Sequence, residues 1–354
     1  MLKPTNLFTK TLFPVFCILL NSSFICATVS KYVILNDNAK MPNIGLGTWQ
    51  ANSDLLEKAL DIALDAGYRH FDTATVYGNE KSIGKVLNKW LTTGKVNRSD
   101  LFIVTKLPNI GMRPEHVEYF LNKSLTDLQI DYVDLYLIHG PFGMKYLEGE
   151  LHSYKPDGSI DIDPTTDHIA IWKKMEEQVD KGRARSIGLS NFNISQITRI
   201  LNNSRIKPSN LQIEIHAYHQ QNELVDFCKS HNISVTAYSP FGNPSIGKYF
   251  QSLGVDVVLP DILGNPVILE IAQKHNKTAA QVVLRQHLQR GLIIIPKSTN
   301  EKRIRENINV YDFELDEQDL SKLAKLDKKI RIINFKHRKG LENHPEYPFA
   351  DELL

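Results

Sequence analysis

Short apolar runs rich in β-branched residues recur along the chain, separated by stretches with helical spacing. Eight of these runs predict β-strands, at residues 44–47, 70–72, 102–106, 133–139, 186–190, 212–215, 234–238 and 292–296. Between most of them apolar residues recur every three or four positions, which indicates helices with one buried face. Eight such units over about 250 to 300 residues predict the α/β class and a (β/α)8, or TIM, barrel. A doubly wound sheet would usually have fewer strands.

The sequence departs from this alternation in three places. Residues 32–42, with turn-forming residues at 36–38, predict an N-terminal β-hairpin at the bottom of the barrel. Extended βα loops follow the strands that end near residues 139 and 238, and loops at this end of a barrel bind substrate. The tail, residues 331–354, is rich in charged, proline and aromatic residues, and it is a third candidate for a flexible element.

The composition is that of a globular protein with little net charge. Of the 354 residues, 42% are hydrophobic and 23% are charged, which disfavours disordered and collagen-like classes. Lys3 and Lys10 account for the formal net charge of +2, so the remainder of the chain is balanced. Because a balanced surface offers no basic face, we expect no nucleic-acid partner.

The first 27 residues have the order of a secretory signal peptide. Lys3 and Lys10 precede an apolar run at residues 12–20, and the small residue Ala27 follows, so we expect cleavage near residue 27. The alternative is a membrane anchor, but Pro14 interrupts the run, which falls short of the about 20 apolar residues that span a bilayer. The sequence therefore predicts a protein that is secreted or enters the lumen of the secretory pathway, without membrane association after cleavage.

Residues 28–354 are predicted to form a single domain that acts as a monomer on a small molecule. Two of the three cysteines fall in the signal segment, which leaves Cys228 and no internal disulfide. His216 and His219 are separated by two residues beyond a predicted strand, but no cysteine or carboxylate spacing completes a ligand set. No metal site is predicted.

Four ionisable side chains lie at the carboxyl ends of consecutive predicted strands. Asp72 ends the second strand, Tyr77 follows it, and Lys106 and His139 end the third and fourth. Because these strand ends meet on one rim of a barrel, we expect the four side chains to form a catalytic site. Taken singly, each could equally be a loop residue with its own local partner. Lys106 is expected to lower the pKa of the Tyr77 phenol from about 10, because a cation favours the phenolate, and this would make Tyr77 a general acid near neutral pH.

At these residues the chain resembles the aldo-keto reductase superfamily, from about residue 31 to the tail. The shared motifs, in order, are GLGTW at 45–49, GYRHFDTA at 67–74, YGNE at 77–80, LYLIH at 135–139, GLSNF at 188–192, QIE at 212–214, AYSP at 237–240 and IPKS at 295–298. The resemblance implies a barrel that transfers hydride from a nicotinamide cofactor to a carbonyl group. Tyr77 would protonate the carbonyl oxygen, Lys106 and Asp72 would tune Tyr77, and His139 would orient the substrate.

The resemblance also implies a cofactor site. Ser190, Asn191 and Gln212 would bind the nicotinamide carboxamide, and Tyr238 would stack on its ring. The full set of implied cofactor residues is Thr48, Trp49, Asp72, Ser190, Asn191, Gln212, Tyr238, Ser239, Phe241, Lys297, Ser298, Asn300, Arg303, Glu306 and Asn307. A lysine and an arginine in this set favour NADPH over NADH, because charged contacts suit a 2′-phosphate. The implied substrate contacts are Trp49, Tyr77 and His139.

Two departures from the family pattern bear on the substrate. Gly140 and Pro108 stand where many relatives have tryptophan, and the smaller residues would widen the mouth for a bulky fused-ring ketone. The alternative is that other rings fill this space, namely Tyr146, Tyr249, Phe335 and Tyr347. Retention of His139 points to carbonyl reduction and not to reduction of a steroid ring double bond. Together with the signal peptide, the scaffold resembles exported insect ecdysteroid ketone reductases, which suggests steroid metabolism with 3-dehydroecdysone as a candidate substrate.

A hypothesis from a different functional class is a non-catalytic carrier or redox sensor that binds the nicotinamide cofactor without turnover. Export favours this alternative, since NADPH is expected to be scarce outside cells. The intact set of Asp72, Tyr77, Lys106 and His139 favours the enzyme.

Overall fold

The computed structural model describes residues 29–51, 53–252, 254–255 and 258–350. The predicted signal segment, residues 1–27, lies outside the described residues. In the described part of the chain, no helix combines the length and the apolar character needed to cross a bilayer.

Short strands alternate with helices along the described chain. The strands are β1 (Tyr32–Ile34), β2 (Lys40–Pro42), β3 (Leu46–Gly47), β4 (His70–Asp72), β5 (Phe102–Leu107), β6 (Val133–Ile138), β7 (Gly143–Met144), β8 (Ile162–Asp163), β9 (Ala184–Ser190), β10 (Asn210–Glu214), β11 (Ser234–Tyr238) and β12 (Ile293–Ile294). The helices are α1 (Ser53–Asp65), α2 (Glu80–Thr92), α3 (Pro114–Leu128), α4 (His168–Asp180), α5 (Ile194–Asn203), α6 (Asn222–Ser230), α7 (Ile246–Ser252), α8 (Pro266–His275), α9 (Ala279–Gln289), α10 (Glu301–Ile308) and α11 (Glu317–Ala324).

Eight of these strands form one parallel sheet in the order β12-β11-β10-β9-β6-β5-β4-β3. The sheet closes on itself, because Ile44 pairs with Ile294 and the Gly45 amide donates to the Ile294 carbonyl at 2.8 Å. A Cβ atom on Gly45 would lie 2.6 Å from the His70 ring, so this seam requires a residue without a side chain. The (β/α)8 barrel predicted from the sequence is confirmed, with strand bounds that differ by a few residues.

The N-terminal hairpin covers the bottom of the barrel. Strands β1 and β2 pair antiparallel, with Val33 opposite Met41. Met41 and Leu35 pack against side chains of the central strands, including Val104 and Leu137, in one buried apolar cluster. Burial of these side chains fixes the hairpin to the sheet. The predicted hairpin is confirmed.

The two long loops contain secondary structure of their own. The antiparallel pair β7 and β8 lies in the loop after β6, and helix α7 lies in the loop after β11. The tail packs onto the first of these loops. The rings of Phe142 and Phe335 are 5.2 Å apart, and the Ile160 amide donates to the Lys339 carbonyl at 2.8 Å. Both loops and the tail therefore border the carboxyl end of the barrel.

Candidate active site

A buried lysine joins two of the predicted catalytic residues at the carboxyl end of the barrel. Lys106 Nζ donates to Asp72 Oδ1 at 2.6 Å, to the Thr73 carbonyl at 2.8 Å and to Tyr77 Oη at 3.4 Å. Asp72 and Lys106 lie on the neighbouring strands β4 and β5, which pair in parallel. Tyr77 ends a short 3-10 turn after β4, and Gly78 leaves this turn in the left-handed region at φ 68°. The strand register therefore brings the three groups together.

His139 completes the predicted set. It follows β6, and its ring lies edge-on to the Tyr77 ring with 5.6 Å between centroids. Its backbone carbonyl accepts a hydrogen bond from Asn191 Nδ2 at 2.9 Å. Its Nδ1 atom is buried without a hydrogen-bond partner among the described residues. All four predicted catalytic side chains thus lie on one rim.

Burial sets the charge states at this rim. Burial lowers the pKa of Lys106, and the adjacent Asp72 carboxylate opposes this shift. Burial, with the positive charges of Lys106 and Arg338, holds the pKa of His139 well below its ordinary value. His139 is therefore a neutral imidazole at pH 7.

The expected effect of Lys106 on the Tyr77 phenol is wrong. The pKa of Tyr77 lies well above its ordinary value, because burial disfavours the phenolate and the charge of Asp72 adds to this effect. Lys106 Nζ already donates hydrogen bonds to Asp72 and to the Thr73 carbonyl, so its charge does not offset the effect of burial on the pKa of Tyr77. Tyr77 consequently carries its proton at neutral pH.

A buried carboxylate behind Lys106 had no predicted role. Glu80 accepts hydrogen bonds from Thr105 Oγ1 at 2.6 Å and from Ser124 Oγ at 2.7 Å. Burial raises the pKa of Glu80, against the effect of these hydrogen bonds. The YGNE motif contains Glu80, but its burial depends on α3, which supplies Ser124.

Three of the four catalytic side chains, those of Asp72, Tyr77 and His139, line a cavity of about 350 Å³, and Lys106 lies buried behind them. Aromatic side chains form much of its wall, including Trp49, Tyr249, Phe241 and Phe335. Trp49 and Tyr249 meet edge to face, with 5.8 Å between ring centroids. A cavity with apolar walls and a few polar groups is the usual form of a small-molecule site.

The residues predicted to bind nicotinamide line this cavity and contact one another. Tyr238 Oη donates to Asn191 Oδ1 at 2.8 Å, and Asn191 Nδ2 donates to Ser190 Oγ at 3.1 Å. Gln212 Nε2 donates to Asp72 Oδ2 at 2.7 Å, which connects this group to the catalytic set. The other predicted cofactor residues that line the cavity are Thr48, Trp49, Ser239, Phe241 and Lys297.

The remaining predicted cofactor residues lie beside the cavity, at and along helix α10. Ser298 Oγ accepts from the Asn300 amide, and Asn300 caps α10 by accepting from the Arg303 amide at 3.1 Å. Burial and the nearby Arg303 lower the pKa of Lys297. Glu306 lies 3.8 Å from Lys302, whereas Asn307 is buried in the helix. The structure thus places Arg303 near Lys297. Of this group only Lys297 lines the cavity, and the residues outside its wall are Ser298, Asn300, Arg303, Glu306 and Asn307.

Gly140 and Pro108 do not widen the cavity, because neither lines it. A Cβ atom on Gly140 would lie 3.1 Å from Asn109 Nδ2 and 3.4 Å from the Phe142 ring. Asn109 is held there by donating to the Phe142 carbonyl at 2.8 Å. The prediction that these two positions open the mouth is wrong, since neither lines the cavity and, at Gly140, Asn109 and Phe142 fill the space.

The alternative is correct for two of its four aromatic residues. Tyr249 and Phe335 line the cavity. Tyr146 instead stacks on His116, with 4.1 Å between ring centroids, and Tyr347 Oη donates to the Asn334 carbonyl at 2.5 Å.

Three of the cavity-lining residues that were missed by sequence reasoning are basic residue types. His152 comes from the loop between β7 and β8, and His337 and Arg338 come from the tail. Their segments were identified as candidate loops around the site, but no motif marks the individual positions. Among the described residues, no group of three metal-ligating side chains is found.

Glu214 anchors the tail beside the cavity. Its carboxylate accepts hydrogen bonds from the backbone amides of Ile332 and Ile333, both at 2.8 Å. His216 Nε2 lies 2.9 Å from the same carboxylate. This contact explains His216 as a structural residue and not as a metal ligand.

Comparisons with known proteins agree with this geometry. The model of the aldo/keto reductase family matches residues 43–328. The chain is 41% identical over 327 residues to aldo-keto reductase family 1 member A1-A of Danio rerio, covering 90% of this chain and 98% of that protein. It is 40% identical over 325 residues to aldo-keto reductase family 1 member C4 of Macaca fascicularis, with the same coverage.

A solved structure has the same fold. The aldose reductase of Schistosoma japonicum superposes with a TM-score of 0.83 at 41% sequence identity, covering 91% of this chain and all of that one. Enzymes of this family reduce carbonyl groups with a nicotinamide cofactor, either NADH or NADPH. By its sequence and its fold, the chain belongs to the aldo/keto reductase family and is an oxidoreductase.

Proposed function

We propose that the protein reduces an aldehyde or ketone to an alcohol with NADPH, and that Tyr77 is the general acid. The observation that supports this most is the pairing of a protonated Tyr77 with a neutral His139 beside Lys106, at the wall of one cavity. Two uncharged donors and one buried cation suit an oxygen that gains negative charge during reaction.

The chain's own residues account for the proton and for the position of the carbonyl. Bound NADPH would supply the hydride to the carbonyl carbon. Tyr77 Oη holds a proton that it can donate to the substrate oxygen, since an alkoxide is a stronger base than a phenolate. Lys106 lies 3.4 Å from Tyr77 Oη and stabilises the phenolate that remains. The neutral His139 imidazole can donate one hydrogen bond to the same oxygen.

The residues at the base of the cavity fit a nicotinamide ring. Amide and hydroxyl side chains of Ser190, Asn191 and Gln212 offer donors and acceptors for a carboxamide. Tyr238 is half-buried at the cavity wall, and its hydroxyl is fixed by Asn191. A ring held in this way is suited to stacking.

Two cations without acidic partners favour NADPH over NADH. Lys297 and Arg303 form no ion pair with the described residues. Burial lowers the pKa of Lys297, and the charge of Arg303 lowers it further, so the two cations repel each other. A phosphate dianion between them would relieve this repulsion, whereas a hydroxyl would not.

The identity of the carbonyl substrate is a separate part of the proposal. A steroidal ketone such as 3-dehydroecdysone is a candidate because of the family resemblance and the aromatic walls at Trp49, Tyr249 and Phe335. The small residue Gly140 does not support a bulky substrate, since Asn109 and Phe142 fill the space beside it.

The test is NADPH oxidation by the purified chain from Thr28 onward, followed by loss of cofactor absorbance. The substrate panel contains aromatic aldehydes, sugars and steroidal ketones, including 3-dehydroecdysone. Turnover of any of these carbonyls supports the reductase. Quenching of tryptophan fluorescence by NADPH without oxidation across the panel would favour the non-catalytic carrier.

We also propose that residues 1–27 direct the chain into the secretory pathway. The support is the order of Lys3 and Lys10, the apolar run and Ala27. The full chain is expressed in a eukaryotic cell, and the first residue of the product is determined. A secreted or lumenal product that begins near Thr28 supports the proposal. An intact Met1 on a cytosolic product would contradict it.

A further inference from the structure

Asparagines in the tripeptide Asn-X-Ser/Thr recur along the chain beyond the predicted signal segment. This tripeptide is the acceptor sequence for N-linked glycans in the lumen of the secretory pathway. The six asparagines are Asn97, Asn122, Asn193, Asn202, Asn232 and Asn276. Since such a short pattern also arises by chance, the place of each asparagine in the fold decides which of them can carry a glycan.

Three of the six lie at the bottom of the barrel, opposite the cavity. Asn97 lies between α2 and β5, Asn202 in the last turn of α5 before β10, and Asn232 between α6 and β11. Connections that lead from a helix into a strand lie at the amino ends of the strands, whereas the catalytic rim is at the carboxyl ends. All three asparagines are exposed. A glycan on any of them would therefore extend into solvent, away from substrate and cofactor.

Asn232 has the most suitable surroundings of the three. Its backbone is in the left-handed region at φ 57°, in a tight turn where its amide donates to the Lys229 carbonyl at 3.0 Å. It borders a shallow recess of about 180 Å³ that Val33 and Ile34 of the hairpin also line. The Ile34 side chain is 59% exposed. The first sugar of a glycan on Asn232 would cover this apolar surface and remove it from water.

The hydroxyl group of the same tripeptide is occupied in the folded chain. Ser234 Oγ donates to the Ser209 carbonyl at 2.7 Å and accepts from Asn210 Nδ2 at 2.9 Å, where β11 pairs with β10. Because an acceptor tripeptide has to present its hydroxyl, the glycan must be attached before β11 joins the sheet. The fold then determines which glycans the finished protein tolerates.

Asn193 is the opposite case, because it lies on the cavity side of the barrel and its side chain is already bonded. Its Oδ1 accepts from the Gln196 amide at 3.0 Å and caps α5, and its Nδ2 donates to the Pro348 carbonyl at 3.2 Å. A sugar on Nδ2 would take the place of the docked tail. A folded and active enzyme should therefore have Asn193 unmodified.

The other two tripeptides lie away from the bottom of the barrel. Asn122 lies within α3, and Ser124 of its tripeptide is buried and donates to Glu80 at 2.7 Å. Asn276 lies in the turn between α8 and α9. Neither belongs to the group formed by Asn97, Asn202 and Asn232.

We propose that Asn97, Asn202 and Asn232 carry N-linked glycans at the bottom of the barrel, and that Asn193 stays unmodified. This inference rests on the proposed entry into the secretory pathway. The donor is an oligosaccharide joined to a lipid pyrophosphate. A bond forms between C1 of the first sugar and the asparagine Nδ2, and the bond from C1 to the pyrophosphate oxygen breaks. The lipid pyrophosphate leaves with the electron pair, and Nδ2 releases one proton.

The test uses the full chain, expressed in a eukaryotic cell and purified from the medium or the lumen. Its intact mass is compared before and after treatment with peptide N-glycosidase, which converts each glycosylated asparagine to aspartate and so marks its position in a peptide digest. We expect the mark at Asn97, Asn202 and Asn232, and not at Asn193. With NADPH and a carbonyl substrate, kcat/KM should be the same before and after the treatment, because these glycans lie far from the cavity.

Three variants remove one acceptor each and keep the local structure. Ser99→Ala leaves Asn97 and its contacts in place, and Asn202→Gln changes an exposed side chain. Asn232→Gly retains the left-handed turn, which glycine adopts readily. Each variant should lose the mass of one glycan.

Matched controls change the same kinds of residue without removing an acceptor. Ser99→Thr keeps the tripeptide. Asn38→Gly changes another exposed asparagine in the left-handed region, at φ 68° in the hairpin, which is not part of such a tripeptide. Both controls should retain the full glycan mass.

The outcomes separate this inference from the proposal on which it rests. A cytosolic product that keeps Met1 contradicts entry into the secretory pathway, and the inference with it. A secreted or lumenal product that begins near Thr28 but has no glycan on Asn97, Asn202 and Asn232 overturns the inference and leaves the proposed route intact. A glycan on Asn193 of the active enzyme also overturns it.

Discussion

Tyr77 keeps its proton at neutral pH because burial raises the pKa of its phenol, and Lys106 lies 3.4 Å away to stabilise the phenolate that proton donation leaves. This arrangement aids catalysis at the point where the substrate oxygen becomes an alkoxide, and not in the resting enzyme. The phenol is a poor acid toward water but an adequate one toward an alkoxide, so the proton is not lost before hydride transfer.

Replacing Tyr77 by Phe tests this role. We expect kcat/KM for carbonyl reduction to fall by about a thousandfold, since a positioned general acid contributes roughly that much, while the dissociation constant for NADPH stays the same. Stopped-flow assays and fluorescence titration measure the two quantities. Tyr146→Phe is the control, because Tyr146 lies outside the cavity. Unchanged turnover in Tyr77→Phe would remove Tyr77 from the mechanism.

Arg303→Ala tests the choice of cofactor. The dissociation constant for NADPH should rise by about tenfold or more, whereas that for NADH should hardly change, because only NADPH carries the 2′-phosphate. Arg305→Ala on the same helix is the control, since Arg305 is paired with Asp65 and Glu301. An equal loss for both cofactors would show that Arg303 acts on a shared part of the molecule.

At the scale of single residues, the sequence predicts where the catalytic side chains lie better than it predicts their protonation states. The four catalytic positions follow from their places at strand ends. The shift in the pKa of Tyr77 does not, because it depends on how completely the surrounding loops exclude water. Arg338 was missed for a related reason: its side chain lies at the cavity only through contacts of the tail with residues far away in the sequence.

At the scale of elements, the site is a rigid barrel rim covered by two loops and the tail. The rim follows directly from the alternation of strands and helices. The tail does not, since its docking depends on pairs such as Phe142 with Phe335 and on the Glu214 carboxylate. No local pattern in the sequence marks these long-range contacts.

Glu214→Gln tests how the tail is held. Loss of the negative charge should weaken the bonds to the Ile332 and Ile333 amides, so local opening of the tail becomes more frequent. We expect trypsin to cleave the tail at Lys336 or Lys339 about tenfold faster, and KM for the carbonyl to rise. Glu223→Gln, an exposed acid on α6, is the control. Equal cleavage rates in the variant and the wild type would contradict the anchoring role.

At the scale of the whole molecule, the barrel contains histidines that are buried in the neutral form. His70 is fully buried on β4, and its Nδ1 lies 3.0 Å from the Pro42 carbonyl of the hairpin. Burial lowers the pKa of His70 to about 4, against about 6.5 in an unfolded chain. The unfolded state therefore takes up a proton first as the pH falls.

Because the unfolded chain binds this proton first, a fall in pH should destabilise the fold before most carboxylates become protonated. We expect His70 alone to reduce the free energy of unfolding by about 3 kcal/mol between pH 6.5 and pH 4, and the loss to be complete near the lower value. Urea unfolding across this range measures it. His70→Gln should show a smaller dependence on pH, whereas His231→Gln, at an exposed position, should match the wild type. Identical pH profiles for His70→Gln and the wild type would exclude His70 as the cause.

Strand β3 leaves the ribosome long before β12, with which it forms the seam of the barrel. Ile44 is synthesised about 250 residues before its partner Ile294. Until Ile294 is in place, both edges of the growing sheet expose unpaired amides and carbonyls. Such margins are templates for pairing with other chains. A nascent chain that stalls before residue 293 should therefore depend on chaperones. This dependence should end once the two-residue strand β12 pairs and closes the barrel.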